Sequence, residues 1–190
     1  MRTLLALLLS LTTAAPPIAA GATLTTSTGA RCTNGFNVRG HLILSPRCGP
    51  VGTTLHAGGV LVGTIKAVRT TYAVADLAPG QTQSPTVVGS TGTVAGATET
   101  AIGGQVCYFS QRGGKRCGTV QRKNATVNYP EGTITGLTKA SLCPLPGDEW
   151  APVLGGTQAQ GHLLGGSGCT AYFLPLRPVL SAEGFTLVTG

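Results

Sequence analysis

Charge and aromatic side chains are both scarce in this chain of 190 residues, at 10% and 5% of the total. Beyond the N-terminus no long apolar run recurs at helical spacing, which argues against an all-α fold. The N-terminal apolar run, Leu4 to Leu11, is too short to anchor the chain across a bilayer. There is no Cys-x-x-Cys pair, and the histidines His41, His56 and His162 are scattered, so neither a metal nor any other cofactor is expected. Few aromatic residues accompany the basic ones, which disfavours nucleic-acid binding by base stacking.

What the chain has in abundance is glycine (29 residues), threonine and valine. That composition favours strands and tight turns, in a chain long enough for one domain with a real core. Residues 41–44 read as a strand ended by Ser45-Pro46, and residues 53–56, 60–65 and 72–75 continue the series. Breaks at Gly58-Gly59 and Pro79-Gly80 give the spacing of an all-β barrel or sandwich. Asn34-Gly35 reads as a tight turn, and 86–88 with 93–94 as crossover strands. Residues 105–109 and 117–120 flank Gly113-Gly114 as a hairpin. Residues 126–129, 133–135, 163–164 and 171–173 add short strands. Residues 178–183 read as a short C-terminal helix stopped by Gly184, and 185–188 as a last strand.

Arg2, the apolar run and Ala19-Ala20-Gly21-Ala22 read as an export signal over residues 1–20, cut after Ala20 or Ala22. Residues 21–190 are then a secreted, soluble monomer with no membrane attachment, beginning with a loose Thr/Ser-rich arm over 21–30. Six cysteines in an exported chain imply three disulfides, and arithmetic alone leaves fifteen pairings open. Net charge is +7, or 12 − 6 = +6 once Arg2 is removed. Arg112, Lys115, Arg116, Arg122 and Lys123 cluster around the 107–117 hairpin. They read as a solvated face or, alternatively, as a site for an anionic surface polymer.

The chain is organised around Cys143-Pro144-Leu145-Pro146-Gly147-Asp148-Glu149-Trp150-Ala151-Pro152 and its partner run from Gly161 to Cys169. A Gly-Asp-X loop is suited to aiming consecutive amide groups at one point, where they stabilise the oxyanion of acyl transfer. This run resembles the Gly-Asp-Ser-Gly-Gly loop of chymotrypsin-like serine proteases. Arg31 to Val38 with Cys48-Gly49 is similar to the opening of the streptogrisin and α-lytic type. So are Thr71-Tyr72-Ala73, Val106-Cys107 through Val120, Asn124 to Gly132, and Leu180 to Gly184. The resemblance covers nearly everything from Arg31 onward. It implies two antiparallel six-stranded barrels, over about 31–100 and 101–190, with the active site between them. It also implies the pairings Cys32–Cys48, Cys107–Cys117 and Cys143–Cys169, each worth about 3 kcal/mol on the loop-entropy account.

The same resemblance locates the catalytic triad. Its histidine precedes a cysteine, where this chain has Arg47. Its aspartate precedes Tyr-Ala, where this chain has Thr71. Its serine follows Gly-Asp, where this chain has Glu149. Arginine accepts no proton near neutral pH, threonine carries no charge to orient an imidazolium, and a carboxylate is a poor nucleophile toward an amide. Gly147, Asp148 and Glu149 stand for the oxyanion loop, and Leu164, Gly165 and Gly166 for the strand that pairs with substrate backbone. An arginine that holds the aspartate of the loop is replaced by Tyr108, so Asp148 needs another partner. The 169–172 segment is shorter than in the family. The reading that follows is a non-cleaving homologue that binds peptides or protease inhibitors. The alternatives are an active protease with displaced residues and a polymer-binding protein. Arg47 and Glu149 are expected to form an ion pair across the cleft.

Overall fold

The computed structural model describes residues 15–130 and 132–190 of the chain. The first half holds β1 (Ile18–Ala20), β2 (Thr23–Thr26), β3 (Arg31–Thr33), β4 (Asn37–Val38), β5 (His41–Leu44), β6 (Thr54–Ala57), β7 (Val60–Val68), β8 (Ala73–Leu77) and β9 (Gln83–Val87). The second holds β10 (Gln105–Ser110), β11 (Gly114–Tyr129), β12 (Gly132–Ala140), β13 (Pro152–Gly155), β14 (Gln158–Ser167), β15 (Thr170–Pro175) and α1 (Leu176–Glu183). The fold is the mostly-β, chymotrypsin-like one, with a single short helix near the C-terminus among the described residues.

The second half is the six-stranded barrel the resemblance implies, closed in the order β10-β11-β12-β15-β14-β13. The first half differs: it is a seven-stranded curled sheet in the order β3-β2-β6-β7-β8-β5-β4, beside a parallel β1–β9 pair. One of the added strands, β2, comes from residues that read as a loose arm. Strand β2 sits between β3 and β6, pairing Leu24 with Cys32 and Thr25 with His56. Leu24 is fully buried.

The chain is integrated still earlier than Gly21. Ile18 and Ala20 are buried, Ile18 O accepts from Asn37 Nδ2 (2.7 Å), and Ala19 O accepts from Asn34 Nδ2 (2.9 Å). Pro16 O accepts from Gln81 Nε2 at 3.0 Å. A cut after Ala20 or Ala22 would therefore remove a strand the domain uses. The rest of the expected signal, residues 1–14, lies outside the described residues.

Strand periodicity distributes the core. In β5, Leu42 and Leu44 face the interior of the first sheet, while Ile43 between them faces the junction of the two halves. In β8, Ala73 and Ala75 face inward and Val74 outward to that junction. In β10, Val106 and Tyr108 fill the barrel while Cys107 and Phe109 face the junction. Successive side chains on a strand point to opposite faces, so strands buried on both faces read as unbroken apolar runs.

Three local expectations change. Asn34-Gly35 is not a hairpin turn: Asn34 is buried, its side chain bonded to Ala19 O and Asn37 Oδ1. The β4–β5 reversal comes instead at Arg39-Gly40, where Gly40 has φ 75°. The segment 185–188 contributes one bridge, Val38 to Leu187, rather than a strand. The helix begins at Leu176 and ends at Gly184, whose φ of 66° is the left-handed cap glycine tolerates. The three disulfides are Cys32–Cys48, Cys107–Cys117 and Cys143–Cys169, as the resemblance implies.

Candidate functional site

The site is built from three turns, each fixed by a nearby constraint. Strand β5 stops at Ser45 because Pro46 has no amide to continue the ladder. A single 3-10 turn follows (Pro46–Cys48), capped by Ser45 Oγ, which accepts from Arg47 N at 3.3 Å. The bond from Cys48 to Cys32 ties this turn to β3. Thr71 lies in the reversal from β7 to β8, where Arg69 N donates to Tyr72 O (2.8 Å). Tyr72 Oη and Arg69 Nε both donate to Glu183 of α1, which anchors that reversal to the C-terminal helix. Burial and the hydrogen bond to Glu183 push the Tyr72 phenol up, so it stays a donor.

Glu149 sits on the third turn, between the Cys143 bridge and β13. The preceding Asp148 is the buried pivot of that turn. Its carboxylate accepts from Tyr108 Oη (2.7 Å), Ser110 Oγ (2.5 Å) and Leu145 N (2.9 Å). These supply the partners that the missing arginine leaves open. Burial opposes the charge, but the bonds from Ser110, Leu145 and Tyr108 outweigh it and hold the carboxyl below its usual range. Burial first, and then the bond to Asp148, pushes the Tyr108 phenol far up.

These turns bring Arg47, Thr71 and Glu149 to one cleft of about 320 Å³, together with Tyr129, Trp150 and Leu164. Arg47 and Glu149 are exposed and Thr71 is half-buried. The ion pairs among the described residues do not include Arg47 with Glu149; the two line one cleft without bridging it. A second hollow of about 380 Å³ shares Ser45, Arg47, Glu149 and Trp150 with the first and runs on to Arg31 and Arg112. The two hollows are halves of one groove that meets at Glu149.

Trp150 is what separates the groove from the interior. Its backbone has φ 68°, unusual for a bulky residue, and its N donates to Leu163 O at 2.6 Å. The indole is buried and lies parallel to the His162 ring, with centroids 4.7 Å apart. Trp150 Nε1 donates to Ile43 O (3.2 Å) and His162 Nε2 accepts from Phe36 N (2.9 Å), so the stacked pair bolts the barrel to the first sheet. With Nε2 accepting, the proton of the neutral ring sits on Nδ1, which has no hydrogen-bond partner. Burial alone pushes the His162 pKa down to about 3. Gly35 is required here because a Cβ would collide with His162 Nε2 and with Ile43 O. No pattern in the sequence pairs His162 with Trp150; the one available signal is a Trp where the family loop has a glycine.

Strand β14 pairs with β13 only as far as Pro152–His162, while its pairing to β15 continues to Ser167–Thr170. Leu164, Gly165 and Gly166 therefore present one open edge beside the groove. The chain reverses in a two-residue turn at Gly168-Cys169, with Cys169 bridged to Cys143, and residues 170–172 already belong to β15.

The remaining singled-out residues lie elsewhere. His41 Nδ1 is 2.9 Å from Asp76 Oδ1, and Lys66 Nζ is also 2.9 Å from that oxygen. The bond from Lys66, against a small burial cost, holds Asp76 below its usual range. His56 lies on β6 opposite Thr25. Of the clustered basic residues, several have particular neighbours. Arg112 faces the groove, Lys115 packs over Phe109, Lys123 pairs with Glu99, and Arg122 stands opposite Lys139. Among the described residues no cluster of three or more His, Cys, Asp or Glu side chains is arranged to hold a metal ion, and no helix is long and apolar enough to cross a membrane.

No protein-family model matches the chain. Individual proteins do. Streptogrisin-C of Streptomyces griseus is 43% identical over 169 residues, covering 82% of this chain and 35% of its own length. The chain thus spans about a third of that relative. The crystal structure of Cellulomonas bogoriensis chymotrypsin superposes with a TM-score of 0.81 at 34% identity, covering 92% of this chain and 100% of the other. Thermobifida fusca protease A gives 0.80 at 35% identity, over 92% and 100%. Two barrel-like halves, the three bridges and the groove between them agree with this likeness over the full length of the neighbours. The chain belongs to the chymotrypsin-like serine protease family, in its streptogrisin and α-lytic branch.

Proposed function

We propose that this chain is a secreted, non-cleaving member of its family that holds peptide-like ligands in the groove between its halves. One observation carries the reading: Arg47, Thr71 and Glu149 line a single cleft, beside the turn that follows Gly147 and Asp148. At those positions the family's chemistry needs an imidazole, a carboxylate and a hydroxyl. A permanently charged guanidinium, a neutral hydroxyl and a carboxylate do not replace them. Trp150 supports the reading further, since a bulky side chain that lines both hollows stands where the family pattern has a glycine. The exposed Leu164–Gly166 edge supplies free backbone groups for an extended peptide, so binding by strand addition remains available without hydrolysis.

An active protease with displaced residues has less support. His41 and Asp76 form a histidine–carboxylate pair, but Lys66 shares the carboxylate, and among the described residues no serine or threonine hydroxyl bonds to a histidine ring.

The test is acylation by a fluorophosphonate probe, beside a variant carrying Arg47→His, Thr71→Asp, Glu149→Ser, Trp150→Gly and Ala151→Gly. The natural protein is expected to stay unlabelled while the variant labels. Stoichiometric labelling of the natural protein, lost on mutating a nearby hydroxyl, would show an enzyme instead.

A further inference from the structure

The groove has two chemically different ends. At one lie Leu164, Ile134 and the open edge of β14. At the other lie Arg31 and Arg112, with Arg47 and Glu149 where the hollows meet. The acids of the chain number six. Among the described residues Asp76, Glu99 and Glu183 are engaged with His41 and Lys66, Lys123, and Arg69 respectively. Asp148 is buried and saturated by Tyr108, Ser110 and Leu145. That leaves Glu149 as the only described carboxylate exposed to the groove, and it forms no ion pair with Arg31 or Arg112.

Arg112 is positioned for this work. Ser110 Oγ accepts from its amide at 3.1 Å and its Nη1 donates to Pro146 O at 3.5 Å, which holds the guanidinium over Gly147. A side chain at Gly147 would strike Nη1, so glycine is what lets the guanidinium lie against the loop. Arg31 projects from β3, an edge strand of the sheet, next to the Cys32–Cys48 bridge. Two guanidiniums held by covalently braced elements, in a hollow with one exposed acid among the described residues, favour a ligand that brings negative charge. The planar fork of arginine pairs with carboxylates in a bidentate way.

We infer that the ligand is an acidic peptide, whose extended stretch lies on the Leu164–Gly166 edge and whose carboxylates reach Arg31 and Arg112 past Glu149. The inference rests on the peptide-binding reading above and names the ligand's charge and polarity along the groove.

Three fluorescently labelled hexapeptides test it by anisotropy at low salt. One is a blocked Ala/Val sequence; the other two carry Glu-Glu at its first or its last two positions. One of the acidic versions is expected to bind about tenfold more tightly than the neutral one, the effect of one or two charge-assisted contacts. The preference should shrink severalfold as salt is raised. In an Arg31→Gln, Arg112→Gln protein it should fall to about twofold or less. Both side chains are exposed, so the variant is expected to melt within a few degrees of the natural protein. Equal binding of the three peptides, or a preference that survives in the double variant, overturns the inference and leaves peptide binding standing. Binding of none of them, even at millimolar concentration, overturns both.

Discussion

Acidifying the solution from pH 7 to pH 4.5 protonates His162 in the unfolded chain but not in the folded one. Its ring is fully buried, faces no charged group, and is held neutral with a pKa of about 3 against 6.5 when free. A depressed histidine leaves stability intact above pH 6.5 and removes it as pH falls, because the unfolded chain binds the proton the folded one refuses. The loss runs at about 1.4 kcal/mol per pH unit, and so reaches about 3 kcal/mol at pH 4.5. That is a large share of the 5–15 kcal/mol, roughly, that holds a domain folded. The buried carboxylate of Asp148 and the partnered Glu183 are held below their usual ranges, so their contribution is lost only at lower pH. The measurement is urea denaturation at half-unit steps from pH 7 to 4.5, on the natural protein and on His162→Gln. Glutamine keeps an acceptor for Phe36 N but does not titrate. The natural protein should lose about 3 kcal/mol more than the variant across that window. Parallel pH profiles would refute a buried neutral imidazole at the junction.

Four further outcomes are expected. Gly35→Ala drives a methyl into His162 Nε2 and Ile43 O and should cost about 1–3 kcal/mol, read as a lowered melting temperature. Trp150→Gly relieves a left-handed backbone but removes the stacked indole and its bond to Ile43 O; the cavity should dominate, at a net loss of about 3 kcal/mol in chemical denaturation. Tyr108→Phe withdraws one donor from buried Asp148 and should cost about 1–3 kcal/mol, while Phe at a surface tyrosine does not. N-terminal sequencing of the mature protein should find its first residue at or before Pro16; a start at Gly21 or Thr23 with an unchanged melting temperature would show that β1 contributes nothing.

Much of the architecture was legible in residue order. Short runs of β-branched and apolar residues between glycines mark strands by local backbone preference. So β5 and the Gly113-Gly114 hairpin fall where the pattern puts them. The cysteine pairs and the three turns of the candidate site were legible through resemblance, because their motifs are contiguous. Residues 23–26 of the expected arm form a strand: Thr/Ser composition is neutral between loop and strand, and the partners that make it a strand lie on β3 and β6. Asn34-Gly35 has hairpin composition, but Asn34 is claimed by β1 and Asn37. The Arg47–Glu149 pair is expected from charge and neighbourhood, and the ion pairs named among the described residues do not include it.

By itself, then, the sequence determined most of the strand content and, through its resemblance to the family, the three cysteine pairings and the positions Arg47, Thr71 and Glu149 that the resemblance sets beside the triad. Those properties are local, set by backbone preference, covalent chemistry and side-chain type. Tertiary structure alone decided that His162 is neutral and stacked on Trp150, that Asp148 is satisfied by Tyr108 and Ser110, and that Arg31 and Arg112 share a groove with Glu149. Each of these depends on burial and on contacts between segments tens of residues apart, and no local pattern in the chain encodes them.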